Sequence, residues 1–279
     1  MNNYIKTAFL LGILSVILIT LGRLFGGAEG MYIALIFALL MNGVSYFYSD
    51  KIALSMSGAK PVSKKQMPEF YEIVEDLAKK MNMPMPKLYI IPACQANAFA
   101  TGRDPSHASV AVTKGTMEIL SKEELKGVLA HELSHVKNRD ILIASIAAVL
   151  ASAISFLANM SLWGAFSARD SDNRNAGALG IIMAILVPIA ASIIQMAISR
   201  QREFGADLGG AKTLGTGSSL ATALVKIHDS TRRRPIRDMN PALSSLYIDN
   251  PFGGVGGAFL NLFSTHPPVE ERVKRLQKI

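Results

Sequence analysis

His131, Glu132 and His135 stand in the spacing H-E-x-x-H within a chain of 279 residues. On a helix, residues four apart share a face, so both imidazoles can reach one ion. Glu132, one step round, projects toward a water or substrate beside that ion. Two imidazoles and a nearby carboxylate suit zinc holding a water to be activated. The chain has five histidines, so two at this spacing around a glutamate exceed what a helix with incidental surface histidines would show.

A helix must carry these groups, and the sequence signals one. Ser121 and Glu124 form a capping box, and Leu125, Val128, Leu129, Leu133 and Val136 follow at helical apolar spacing. Two histidines need a third protein ligand, with one position left open for water. His107, His228, His266 and several carboxylates are candidates. Glu203 is the strongest, because the stretch Glu203-Phe204-Gly205-Ala206-Asp207 places a second carboxylate one turn on. Glu203 would bind the ion while Asp207 takes a hydrogen bond from a ligand histidine.

Half of the residues are hydrophobic, 18% are charged, and the mean hydropathy is +0.29. The apolar excess lies in blocks. Residues 7–22 and Met31–Tyr48 carry no charge and are joined by a short glycine-rich link at 26–30. They read as a helical hairpin crossing about 30 Å of hydrocarbon twice. A secretory signal fits less well, since no clear cleavage site follows and a second apolar block begins at once. Residues 141–166 and 176–199 are also uncharged, with the polar stretch 167–175 between them, and read as a second hairpin with a kink at Pro188 that a membrane helix tolerates. Lys6, Lys51, Lys137, Arg139, Arg200 and Arg202 all flank the spans on one side, which puts the catalytic segments and both termini in the cytoplasm.

The net charge of +8 does not gather into a nucleic-acid patch. The cations sit beside the spans, as anionic headgroups favour, so a lipid bilayer is the expected partner and nucleic acid is not. The single Cys94 excludes an internal disulfide and fits a reducing compartment. The methionines and prolines of 81–86 read as an extended connector rather than a copper site, because the thioethers have no His or Cys company. The glycines of 250–257 lack the strand–loop–helix setting of a nucleotide site.

Four segments result: 1–50, an N-terminal transmembrane hairpin; 51–140, the first part of the catalytic domain; 141–198, the second hairpin; and 199–279, the remainder of the domain. The expected fold is a mainly α membrane protein with four transmembrane helices in two hairpins. It carries a cytoplasmic α+β zinc-metalloprotease domain with a small β-sheet. Met67–Met81 is an amphipathic helix with Phe70, Ile73, Val74 and Leu77 on one face. Lys87–Pro92 and Ala108–Thr113 are β-prone, with Asn97-Ala98-Phe99-Ala100-Thr101-Gly102 between them. Those residues form either a structural hairpin or a free sheet edge onto which an extended peptide adds as a strand. In the second case Asn97, Ala98 and Phe99 bind substrate.

The run HELSH, two apolar spans, SRQREFGAD and then THPPVEERVKRL closely resemble the HtpX membrane metallopeptidases. That family shares a wider group with the CAAX prenyl proteases and the mitochondrial protease Oma. The resemblance covers essentially the whole chain, including NAFATG and NPALSSLYI. It implies a zinc endopeptidase of the bacterial inner membrane that cuts misfolded or unassembled membrane proteins, with one zinc per chain. By motif position it makes His131, His135 and Glu203 the zinc ligands and Glu132 the catalytic base. His266 and Arg272 match the family's H-P-x-x-x-x-R element, which the resemblance places near the substrate carbonyl; on the residues alone, a structural salt bridge or cap is an equal alternative for either. The rival class is a non-catalytic membrane module. A transporter should carry ionisable residues within its spans, and apart from Arg23 near one end these have none. The sequence leaves the oligomeric state open.

Overall fold

A computed structural model describes residues 3–147, 200–233, 246–249 and 267–279. The second hairpin from 148 onward, Pro188, the glycine-rich stretch 250–257 and His266 lie outside the described residues.

Helix α1 (Asn3–Met56) doubles back at Gly27, whose φ of 61° and ψ of −144° break the helical path. Only glycine adopts that conformation at little cost. Contact between the two arms is intimate near the turn, and further out Asn42 Nδ2 donates to Ser15 Oγ across them at 2.9 Å. The reversal uses one residue rather than the whole glycine-rich link, and the helix continues past Tyr48 to Met56. The reason for that extension is burial: Ala53 and Leu54 pack with Phe99, Ala111 and Leu246. Among the described residues one helix, Gly27–Met56, is long and apolar enough to cross a membrane, and Leu11–Thr20 is a shorter apolar stretch. Ile33, Ile36, Leu39 and Leu40 on that arm are each more than 60% exposed, as a lipid-facing surface requires.

The sheet has four strands in the order β1-β2-β4-β3, formed by β1 (Lys60–Pro61), β2 (Lys87–Ile91), β3 (Ala98–Gly102) and β4 (Ala108–Thr113). β2 and β4 are parallel, whereas β1 with β2 and β3 with β4 are antiparallel. Strand alternation divides the side chains between two layers. Leu88, Val110, Val112, Ala98 and Ala100 face the main core, which they share with Phe70, Ile73, Val74 and Leu77 of α2 (Pro68–Lys80). Tyr89, Ile91, Phe99 and Ala111 face the foot of α1. β3 is an edge strand. Among the described strands it pairs with β4 alone, as the arm of a hairpin.

After the short α3 (Lys114–Ile119), α4 (Lys122–Lys137) carries the H-E-x-x-H residues. The expected capping box is present: Ser121 N–H donates to Glu124 Oε2 at 2.8 Å, and Glu124 N–H to Ser121 Oγ at 3.3 Å. Leu125, Val128, Leu129, Leu133 and Val136 are all buried. Among the described residues, α5 (Arg200–Leu214) and α6 (Ser218–Arg233) pack on α4, and α7 (Val269–Leu276) packs on those two. α5 lies close on α4 because Gly210 faces it. A Cβ on Gly210 would stand 3.0 Å from the backbone nitrogen of His131. Gly210→Val should therefore push α5 off α4, destabilise the protein by about 1–3 kcal/mol and weaken zinc retention. Thermal unfolding and metal content after dialysis check this.

Candidate metal centre

Each turn of the metal-binding region is fixed by its neighbours. His131 and His135 lie one helical turn apart on α4, with ring centroids 4.7 Å apart and planes at 88°. Both imidazoles turn Nε2 toward Glu203 of α5. His135 Nε2 is 3.4 Å from Glu203 Oε1, and His131 Nε2 is 3.7 Å from Glu203 Oε2. Zinc ligands about 2.1 Å from a common tetrahedral ion lie about 3.4 Å from one another, so the spacing fits the ion. Ligand atoms of these three residues all fall within 4.8 Å of one another, and they form the one such group among the described residues.

The far nitrogen of each ring is held by a carboxylate. His131 Nδ1 lies 2.9 Å from Asp207 Oδ1, and His135 Nδ1 lies 3.1 Å from Asp140 Oδ2. A proton on each Nδ1 leaves both Nε2 lone pairs free for the ion and fixes the ring planes. Asp207 reaches His131 because it follows Glu203 by four residues. Asp140 was not anticipated. It reaches back because Arg139 takes a left-handed φ of 58°, closing α4 so that Asp140 N–H donates to the His135 carbonyl at 2.9 Å. An aspartate just beyond the helix that carries the second histidine was the available signal.

Asp207 is tied to the C-terminal helix. Arg272 donates to its carboxylate through Nε at 3.0 Å and Nη2 at 2.7 Å, and through Nη1 to the Ile248 carbonyl at 3.2 Å. Arg272 is fully buried. It lies behind His131, not on the wall of the cleft where the sequence reading put it beside a substrate carbonyl. Burial pushes the Asp207 carboxyl up, but Arg272 and His131 more than offset this and hold it at about 2. At His135 burial lowers the imidazole, and the carboxylates of Glu203, Asp140 and Glu132 outweigh it, raising the ring to about 10 in the metal-free protein.

At neutral pH the metal-free centre therefore holds a proton on His135 that an incoming ion displaces. Zinc affinity should rise about tenfold per pH unit up to the region of pH 10, with proton release detectable in weakly buffered solution. A pH-independent affinity would contradict this.

Glu132 faces the cleft beside the cluster. Burial raises its carboxyl, partly countered by His131 and His135, and its Oε2 accepts the Ala100 N–H at 3.0 Å. β3 thus touches the centre directly. Asn97 pairs with Thr113 toward β4. By antiparallel alternation, Ala98 and Ala100 then turn their backbone groups to the outer edge.

Opposite that edge runs the segment 246–248, with Tyr247 between buried Leu246 and Ile248. The Asn97 side chain holds this segment as a neighbouring strand would: Nδ2 donates to Leu246 O at 3.1 Å, and Oδ1 accepts Ile248 N–H at 3.0 Å. Ala98, Phe99, Ala100 and Tyr247 line the resulting cleft with the metal residues and with Ile141 and Ala144 from the start of the next apolar segment. Burial keeps the Tyr247 hydroxyl protonated, by raising it. Of the other candidate ligands, His107 contacts Asp104 and Arg103, and His228 contacts Asp249.

The chain's sequence from 64 to 279 matches the model of Peptidase family M48. The chain belongs to peptidase family M48. It is 49% identical to the "Protease HtpX homolog" of Sulfurihydrogenibium sp. (strain YO3AOP1) over 288 residues, covering 100% of this chain and 97% of that protein. It is 50% identical to the protein of the same name from Pyrococcus furiosus, covering 99% and 96%. The crystal structure of S. mikatae Ste24p shares the fold at a TM-score of 0.52 and 17% identity, matching 98% of this chain, which spans 64% of that one. As an HtpX-type M48 metalloprotease, the protein is a zinc peptidase acting on protein substrates. His131, His135 and Glu203 form its zinc site.

Proposed function

We propose that this M48 peptidase hydrolyses misfolded or unassembled membrane proteins at segments emerging on the cytoplasmic face of a bacterial inner membrane. The observation that carries this reading is the position of the cleft. Its walls include Ile141 and Ala144, and the β3 wall packs through Phe99 and Leu246 on the foot of α1. A peptide leaving the bilayer meets the site with little unfolded length to spare. Both termini lie in the cytoplasm, and 141–166 and 176–199 complete four spans.

The peptide adds to the outer edge of β3 by backbone hydrogen bonds to Ala98 and Ala100, a mode that asks little of its sequence. Asn97 holds the facing wall in place, and Phe99 anchors the strand from beneath. Zinc at His131, His135 and Glu203 supplies Lewis-acid activation of water and carbonyl. Glu132 accepts the proton of the attacking water and delivers it to the leaving amine. Burial raises its carboxyl, which makes it the better proton acceptor. Tyr247 donates to the developing oxyanion, and Asp207 with Arg272 positions His131. His266 approaches the substrate as the family motif implies.

Turnover of an unassembled membrane protein and of unfolded casein, compared in the same detergent or bilayer, tests the substrate class. The membrane substrate should be cleaved faster. Equal turnover would leave a tethered peptidase for soluble chains.

A further inference from the structure

At the foot of α1, away from the metal centre, a cavity of about 500 Å³ opens between the helix and the ends of β2 and β4. Its walls carry Lys51, Lys87 and Arg103 together with Phe47 and Tyr48. We propose that this cavity binds the phosphodiester headgroup of an anionic phospholipid.

Position supplies the first argument. The exposed apolar face of α1 ends in Phe47 and Tyr48, which are 57% and 49% exposed, and cations begin within three residues. Aromatic rings followed by cations mark the level of the headgroups in a spanning helix. The cations are also arrayed for a ligand. Lys51 Nζ sits 4.9 Å from the centre of the Tyr48 ring, and Arg103 lies 5.7 Å from that of Phe47, so each charge is held against an aromatic face; Arg103 Nε also lies 3.5 Å from Asp104 Oδ2, which leaves its Nη groups toward the cavity rim.

Two acidic groups are near, Asp50 on the wall and Asp104 beside it. Asp104 is committed to its own turn, where it accepts Ser106 N–H at 2.8 Å, His107 N–H at 3.0 Å and the His107 ring at 2.9 Å. Arg103 Nη2 can only donate, so at 2.8 Å His107 Nε2 accepts from it and the ring proton sits on Nδ1, toward Asp104. That relay fixes the guanidinium at the rim. Planar guanidinium and flexible ammonium groups together match a phosphate, and Ser106 and Ser109 add hydroxyls.

A headgroup seated here would also touch the end of β3, since Arg103 follows Gly102 directly. The other end of that strand lines the cleft. The lipid would thereby set the height of the cleft above the bilayer.

The full-length chain purified in detergent should be titrated with short-chain phosphatidylglycerol, with phosphatidylcholine of the same chain length, and with inorganic phosphate. The phosphatidylglycerol should bind most tightly. The double variant Lys51→Gln/Lys87→Gln, at two exposed sites, should weaken it by roughly tenfold or more with zinc content unchanged, and Arg103→Gln should do the same. Equal binding of the two lipids, or an unaffected double variant, would overturn the proposal. So would inorganic phosphate binding as tightly as phosphatidylglycerol, which would identify a free anion as the ligand. A chain that stays monodisperse without detergent would instead overturn the membrane reading of α1.

Discussion

Glu132→Gln should lower kcat by about 10²–10⁴-fold while zinc content and thermal stability stay near those of the parent. The substitution keeps the shape of the side chain and its contact with β3, because the amide oxygen can still accept the Ala100 N–H. It removes only the ability to take a proton. Folding should not suffer, since a buried carboxylate whose pKa is pushed up by burial contributes little by being charged. Glu132 also makes no bond to either histidine ring, so the ligands keep their geometry. Metal analysis and single-turnover cleavage on the same preparation separate the outcomes. Loss of zinc along with activity would mean Glu132 helps to build the centre; parent-like cleavage would remove it from the chemistry.

The second large effect is expected at Arg272, and it should fall on folding and metal retention together. Arg272→Met keeps much of the side-chain volume but leaves Asp207 without its guanidinium partner in a fully buried place. Breaking one side of a buried ion pair in this way costs about 3–5 kcal/mol. Asp207 would then take up a proton or reorient, and His131 would lose the acceptor that sets its tautomer. Outer partners of metal-bound histidines are worth about 10–100-fold in metal affinity, so zinc should be lost at chelator concentrations the parent withstands. Arg272→Lys should recover part of the stability but not the two-point grip on Asp207. A merely structural cation would be fully replaced by lysine, and competition with a chelator tells the two apart.

How much of this could be read in advance depended on whether the signal was local. The H-E-x-x-H helix was legible because capping, apolar period and motif all lie within twenty residues. The E-x-x-x-D pair was legible for a similar reason: one helical turn puts Glu203 and Asp207 on one face. α2 was plain from its four apolar positions. The extension of α1 past Tyr48 was not, since its cause is a contact of Ala53 and Leu54 with a distant strand.

Arg272 misled. Its motif suggested a place by the substrate, yet Val269, Arg272 and Leu276 are buried on one face of α7, so the arginine occupies a core position and must find an anion there. Its spacing, three residues after Val269 and four before Leu276, was the clue. Asn97 is similar. A short amide in a β-prone stretch does not announce that it will act as a strand's worth of backbone partners for residues some 150 positions away. Asp140 needed knowledge of a left-handed residue at a non-glycine position, which nothing in the composition indicates.

The guanidinium behind His131 carries a temporal consequence. The first histidine and the residue that steadies it are separated by 141 positions, among them Glu203 and the uncharged stretches 141–166 and 176–199. At ribosomal speeds, on the order of ten seconds must pass between the emergence of the two. During that interval the nascent chain gains its general base and, once Glu203 has emerged, all three ligands, yet Asp207 and His131 still lack the guanidinium that steadies them. The metal centre is thus complete only once the last part of the domain has docked.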